Sequence, residues 1–133
     1  MNSSSHHFTA EVQPFKKGQL IRLKGELDAH SAVMASNVLE STLASGTDYL
    51  LIDCSQLVYI SSAGVGVIIS AYHLCLMKQT CLTLFSMQPK IKNVFEVLGM
   101  DKVLNMALTR EEAIKMADSL QHANSFQKKK SYN

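Results

Sequence analysis

Two adjacent hydroxyls, Ser61 and Ser62, stand in the run Tyr59-Ile60-Ser61-Ser62-Ala63-Gly64, just ahead of an apolar stretch with helical spacing. Three chemistries are open to a serine in such a place. As a nucleophile it needs a base and a strained turn. Ser62 lacks the G-x-S-x-G elbow, and none of His6, His7, His30, His73 and His122 is fixed near it by spacing. His30, two residues past Asp28, could approach; a surface histidine is the plainer reading. As part of a phosphate loop, Gly64-x-Gly66 opens a helix after a strand. However, position 69 is Ile where the third glycine of the dinucleotide fingerprint belongs, and no G-x-x-x-x-G-K-[ST] occurs. Close packing of the helix start accounts for both glycines more simply. As a phosphoacceptor, a hydroxyl at a helix N-terminus is exposed. Its phosphate would add ~1.5 to 2 negative charges and meet free backbone N–H groups at the positive end of the helix dipole. The ordinary alternative is an N-cap serine.

Composition narrows the rest. Of 133 residues, 47% are hydrophobic and 18% charged, so the body folds. The net charge is +2, but Lys128, Lys129 and Lys130 sit in the tail, and residues 1–127 carry ten basic against eleven acidic groups. No basic face for phosphate contacts is visible, which argues against nucleic acid as a partner. The longest apolar region, Val65 to Leu76, is broken by Gly66, Ser70 and His73. It falls short of the ~18 apolar residues of a membrane helix, so no membrane insertion is expected. Cys54, Cys75 and Cys81 have no zinc spacing and read as reduced thiols in a cytoplasmic protein. The start, MNSSSHHF, is not a secretory signal. No metal and no cofactor are expected.

The elements that must position the serines follow from periodicity. Phe8 to Gln13 and Ile21 to Asp28 alternate strictly, as half-buried strands do, and Pro14 to Gln19 is a turn with Gly18 available for a positive φ. Asp28 is a good N-cap for a helix over Ala29 to Ala44, with Ala32, Ala35, Leu39 and Leu43 as its apolar stripe. Tyr49 to Ile52 is continuously apolar and ends at Asp53, the pattern of a central parallel strand. A loop, Ser55 to Ile60, leads to a helix starting at the serines, with a stripe of Val65, Ile68, Ile69, Tyr72 and Leu76. Cys81 to Phe85 is the next strand. Pro89 begins a helix with a stripe of Ile91, Val94, Phe95 and Leu98, closed by Gly99. Lys102 to Ala107 is a short last strand, and Thr109 with Glu112 forms a capping box for a helix to about Leu120.

The order β-β-α-β-α-β-α-β-α predicts a single α/β domain over 8–121. It has a mostly parallel sheet of about five strands, an N-terminal antiparallel hairpin and about four helices. Residues 1–7 are expected to be flexible, and 122–133 to be a disordered basic tail. In open α/β sheets the working edge lies beyond the carboxyl ends of the strands. That edge should collect Asp28, then Asp53 and Ser55, then Ser61 and Ser62.

Three segments carry a resemblance: Gly25-Glu26-Leu27-Asp28, Leu51-Ile52-Asp53-Cys54-Ser55 and Tyr59-Ile60-Ser61-Ser62-Ala63-Gly64-Val65-Gly66-Val67-Ile68. Together they resemble the STAS domain family, in particular the stand-alone bacterial anti-sigma-factor antagonists, over roughly residues 8–120. The resemblance implies a non-enzymatic partner switch. Such an antagonist, when unphosphorylated, binds an anti-sigma factor that is often a serine kinase, and so frees a sigma factor that it touches only indirectly. Phosphorylation ends the binding and a PP2C-type phosphatase restores it. Alignment with the family puts the phosphoacceptor on Ser62, and the resemblance implies a partner face made by the first helix and the loops at Asp28 and Ser61-Ser62; the residues expected to bind the partner are Asp28, Asp53, Ser55, Ser61, Ser62 and Gly64. Asp28 and Asp53 are expected in surface loops that shape the kinase encounter; helix N-cap and strand-end cap are their structural alternatives. Family members often carry Asp where this chain has Ser61. The alternative function is a non-switching STAS scaffold subunit of a larger signalling or lipid-transport complex.

Overall fold

The structure is a computed structural model and describes residues 7–131. Strands β1 (Thr9–Phe15), β2 (Gly18–Leu27), β3 (Tyr49–Ile60), β4 (Cys81–Phe85) and β5 (Asn105–Ala107) form one sheet in the order β1-β2-β3-β4-β5. The first pair is antiparallel and the remaining pairs are parallel. Helices α1 (Ala32–Ala44), α2 (Ser62–Lys78), α3 (Pro89–Val97) and α4 (Arg110–Ser131) complete the expected order.

Alternation in β2 and β3 decides which helix covers which face. Ile21, Leu23, Leu50, Ile52 and Cys54 point to one side, where they pack with Leu39 of α1, Ile68 of α2 and Phe95 of α3. Leu20, Tyr49, Leu51 and Phe85 point to the other, under Ala113 and Ala117 of α4. With both faces covered, Leu50, Leu51 and Ile52 are fully buried, as the apolar run required. Two alanines rather than large residues let α4 lie close on the sheet.

Several boundaries depart from the sequence reading, each for a local reason. In the hairpin, Pro14 and Phe15 stay in the ladder opposite Gln19 and Gly18, and Lys16 takes the positive φ of 54° instead of Gly18. Pro14 is tolerated there because β1 is an edge strand. Gly18 is needed for space, since a Cβ would run into the ring and carbonyl of Tyr49. The largest difference is β3, which does not end at Asp53 but continues through the expected loop to Ile60. It stays paired with β2 across two register shifts, between Arg22 and Lys24 and between Gly25 and Glu26. Gly25, at φ 96°, makes the second shift possible. These bulges put the buried Leu57 and Ile60 three residues apart, so the period of two that marks a strand is lost.

The helix stripes hold near the sheet centre and fail at the far ends. Val65 and Ile68 are buried, but Cys75 rather than Leu76 is the last buried residue of α2, and Leu98, the C-cap of α3, is exposed. Gly99 follows the end of α3 with φ 74°, as a helix-stopping glycine does. A 3-10 turn over Met100–Lys102 delays β5 to Asn105. Thr109 Oγ1 accepts from the Glu112 amide at 3.1 Å, and the Glu112 carboxylate accepts from the Leu108 amide at 3.1 Å, one residue earlier than in a standard capping box. α4 runs past Leu120 to Ser131, through residues expected as a disordered tail, because no Gly or Pro interrupts it. Residues 1–6 of the expected flexible start and 132–133 of the tail lie outside the described residues. Among the described residues no helix is long and apolar enough to cross a membrane.

Candidate functional site

The carboxyl ends of β2 and β3 meet at Leu27 and Ile60, which pair in register. One residue on, the Ser61 amide donates to the Leu27 carbonyl at 3.0 Å and ties the two exits together. β2 leaves into a loop that fastens itself. Asp28 Oδ1 accepts from the amides of His30 (3.0 Å) and Ser31 (3.3 Å). In return the Asp28 amide donates to Ser31 Oγ at 3.0 Å, and the Ser31 hydroxyl donates to the Glu26 carbonyl at 2.8 Å. Asp28 is therefore not the N-cap of α1. It closes an Asx turn before the helix, which starts at Ala32 and not Ala29, and the buried Ser31 is spent on the loop rather than on capping.

β3 leaves into α2. Ser61 is the N-cap, extended at φ −98° and ψ 176°, and its hydroxyl accepts from the Gly64 amide at 3.4 Å. Ser62 is thus the first helical residue and not the cap. Its side chain is exposed, and its hydroxyl makes no hydrogen bond to any described residue. The amides of Ser62 and Ala63 likewise have no partner among the described residues, as expected for the opening turn of a helix. Gly64 is buried and structural: a Cβ there would meet the Leu27 carbonyl and stand 2.8 Å from Ile60 Cγ1. Gly66 has no such reason, since a Cβ would find nothing within 4 Å. Neither α1 nor α2 before Lys78 contains Lys or Arg, so an anion on Ser62 would meet the helix amides and no cation of these two helices.

Asp28, Ser61, Ser62 and Gly64 are therefore brought together, and Asp53 and Ser55 are not. A strand rises ~3.3 Å per residue, so the extension of β3 separates Ser55 from Ser62 by roughly 20 Å. The surface-loop placement of Asp53 is corrected: only 4% of it is exposed, within the strand. Its Oδ2 lies 3.2 Å from Arg22 Nε and 3.8 Å from Arg110 Nη2, and its Oδ1 accepts from the Ser55 amide at 2.9 Å. Burial pushes the Asp53 carboxyl up, but the Ser55 amide and hydroxyl together with Arg22 outweigh it and hold the group below its ordinary value. Arg110 also stacks over the Phe85 ring at 5.9 Å, so this cluster fastens α4 to the sheet. Ser55 is exposed and lines, with Lys24 and Gln88, an open groove of about 600 Å³ in which Ser62 takes no part. Burial pushes the Cys54 and Cys75 thiols up to about 12, which makes them packing groups rather than reactive ones. Among the described residues no group of His, Cys, Asp and Glu is placed to hold a metal.

Sequence reading missed Ser31, although a serine directly before the apolar-periodic Ala32 is itself a helix-start signal. It also missed Arg22 and Arg110 as partners of Asp53, for which contacts across 31 and 57 positions leave no local trace.

A family model described as STAS domain matches residues 11–113. The chain belongs to the STAS domain family. An anti-sigma-B factor antagonist of Listeria monocytogenes is 28% identical over 86 residues, covering 65% of this chain and 75% of that protein. Among solved structures, an anti-sigma factor antagonist from Mycobacterium paratuberculosis superposes with a TM-score of 0.75 at 18% identity, covering 84% of this chain and 95% of that one. SpoIIAA, a Bacillus cell fate determinant solved in its phosphorylated form, gives a TM-score of 0.63 at 24% identity, covering 83% and 98%. These structures share the STAS fold with this chain: one mixed five-stranded sheet with four helices.

Proposed function

We propose that this STAS domain is a phosphorylation-controlled anti-sigma-factor antagonist, acting in the cytoplasm without catalysis of its own. Unphosphorylated, it binds an anti-sigma factor with serine kinase activity through the Asp28 loop, Ser61 and Ser62. Phosphorylation of Ser62 by that kinase ends the binding, and a PP2C-type phosphatase restores it. The observation that carries this reading is the exposed Ser62 hydroxyl on the first residue of α2, which makes no hydrogen bond to any described residue and stands beside two amides that have no partner among the described residues. A phosphate there gains support from the helix N-terminus and, on an exposed residue, can be added without disturbing the core. Against a partner surface shaped for a neutral hydroxyl, the same charge must be desolvated without a counter-ion, which costs binding. The names of the Listeria and Mycobacterium relatives, and the phosphorylated form of the Bacillus one, support the role and the chemistry. Ser61 takes the place where relatives often carry Asp, and here its hydroxyl is occupied in capping, which favours Ser62 as the acceptor. Incubation with ATP and a candidate anti-sigma kinase, followed by phosphosite mapping, tests the reading. Phosphate on Ser62 is expected; a chain that binds its partner and is never phosphorylated would instead be a constitutive scaffold subunit.

A further inference from the structure

Gly66 is exposed within the second turn of α2, and nothing inside the chain asks for a glycine there. Its φ lies outside the left-handed region, so any residue can adopt its backbone. A Cβ at this position would find nothing within 4 Å. Gly64, two residues earlier, is the contrast, since a Cβ there would run into the Leu27 carbonyl. Apart from proline, glycine is the poorest helix former. At position 66 it therefore weakens α2 without serving turn or packing.

The reason lies one turn away. Position 66 is four residues after Ser62, so the two share a face of α2 and lie about 6 Å apart along its axis. Helical side chains tilt toward the N-terminus, and each covers the turn before its own. A side chain at 66 would therefore lie over Ser62. No other residue of α2 does this. Val65, the other neighbour one turn on, is buried and packs in the core. Ala63 ends at its methyl group. Glycine at 66 leaves the Ser62 hydroxyl open from the side of the helix as well as from its end.

We propose that Gly66 is the access residue of the switch. It keeps clear the volume through which the kinase-bound nucleotide reaches Ser62 and into which the phosphoryl group is placed. This rests on Ser62 being the phosphoacceptor. In the transfer, Ser62 Oγ bonds to the γ-phosphorus of ATP and the bond from that phosphorus to the β,γ-bridging oxygen breaks. ADP leaves, and the hydroxyl proton passes to a base on the kinase. The attacking and leaving oxygens must stand roughly in line, with the kinase groups that hold the phosphates arriving alongside. A branched side chain arching over Ser62 occupies that space. Gly66 acts through what it leaves empty, so the effect of replacing it should grow with the size of the new side chain.

Gly66→Ala and Gly66→Leu test this with opposing readouts. Both variants should melt a few degrees above the parent, because alanine and leucine are better helix formers and enter open space. Phosphorylation by the partner kinase should move the other way, with kcat/KM lowered less by Gly66→Ala than by Gly66→Leu. The leucine variant should lose at least about tenfold, as obstruction of a transfer geometry does. A second readout needs no kinase. The thiol introduced by Ser62→Cys would be exposed at a helix N-terminus, whereas Cys54, Cys75 and Cys81 are buried. Its reaction with a bulky aromatic disulfide should slow several-fold when Gly66→Leu is added. The pH midpoint of that reaction should stay the same, which separates access from thiol acidity. Equal thiol reactivity with and without Gly66→Leu overturns the proposal, and so does undiminished phosphorylation of Gly66→Leu on Ser62. A parent that carries no phosphate on Ser62 after treatment with a kinase that binds it defeats the acceptor reading and this role of Gly66 with it.

Discussion

Asp53 and Ser62 lie on one continuous run of strand and helix, and the fold treats them in opposite ways. Asp53 is buried and answered within the chain by Arg22, Arg110 and the Ser55 amide. Ser62 is exposed, with neither its hydroxyl nor its amide answered by any described residue. A polar group whose partners are all internal holds structure together. One whose partners are missing at an ordered, helix-dipole position is available to something outside. The contrast predicts that substitutions around Asp53 change stability and leave binding alone, whereas substitutions at Ser62 do the reverse.

The largest effect belongs to the buried side. Leu51 is fully buried beneath α4, on the same strand face as Asp53, in a cluster of apolar side chains. Leu51→Asp should cost several kcal/mol, comparable to the whole stability of a small domain. Urea titration should find no cooperative transition; a protein that unfolds like the parent would show that the sheet centre is not where it is placed here.

Asp53→Asn keeps the shape and removes the charge. Arg22 and Arg110 are about one third exposed and can turn to water, so the loss should be about 1–3 kcal/mol rather than that of a fully buried pair. Because the folded carboxyl is held below its unfolded value, its stabilisation is fully present above the ordinary carboxylate value near ~4 and is lost as pH falls through the folded value. Stability measured from pH 7 down to pH 3 should therefore fall less steeply in Asp53→Asn than in the parent. An identical acid slope would remove Asp53 from the account of acid unfolding. Partner affinity should not change.

The smallest effects separate the two serines. Ser61→Ala removes the N-cap and should lower stability by about 1 kcal/mol, while Ser62→Ala, at the first helical position, should stay within a few tenths. Thermal melts of the two variants distinguish cap from acceptor, and equal losses would blur the assignment.

Much of this contrast was legible in the sequence. Strict alternation in β2, the apolar run Leu50-Leu51-Ile52 and the helical spacing after Ser62 specified the sheet, its centre and the site edge. Two physical effects hid the remainder. β-Bulges remove the period of two from Ser55 to Ile60, so the sequence of a long strand carries the pattern of a loop, and that pattern places Asp53 at the site edge. Competing caps hid the helix starts. Asp28 and Ser31 each satisfy the other's backbone, and of two adjacent serines only the backbone conformation decides that Ser61 caps and Ser62 does not. Hydrophobic stripes mark a helix face but not how far the sheet beneath it reaches, which is why Leu76 and Leu98 fall outside the core.

The switch itself is tested most directly by measuring the affinity of the partner kinase for the parent, Ser62→Ala, Ser62→Asp and Ser61→Ala proteins, alongside phosphosite mapping. Ser62→Ala should bind like the parent and take no phosphate. Ser62→Asp should fold at least as well as the parent, since a carboxylate suits a helix N-terminus. It should nevertheless bind about ten- to a thousandfold more weakly, a few kcal/mol of unanswered charge at an interface. Ser61→Ala should lose far less affinity and still be phosphorylated. Phosphate on Ser61, or parent-like binding by Ser62→Asp, would contradict the assignment of Ser62 as the switch.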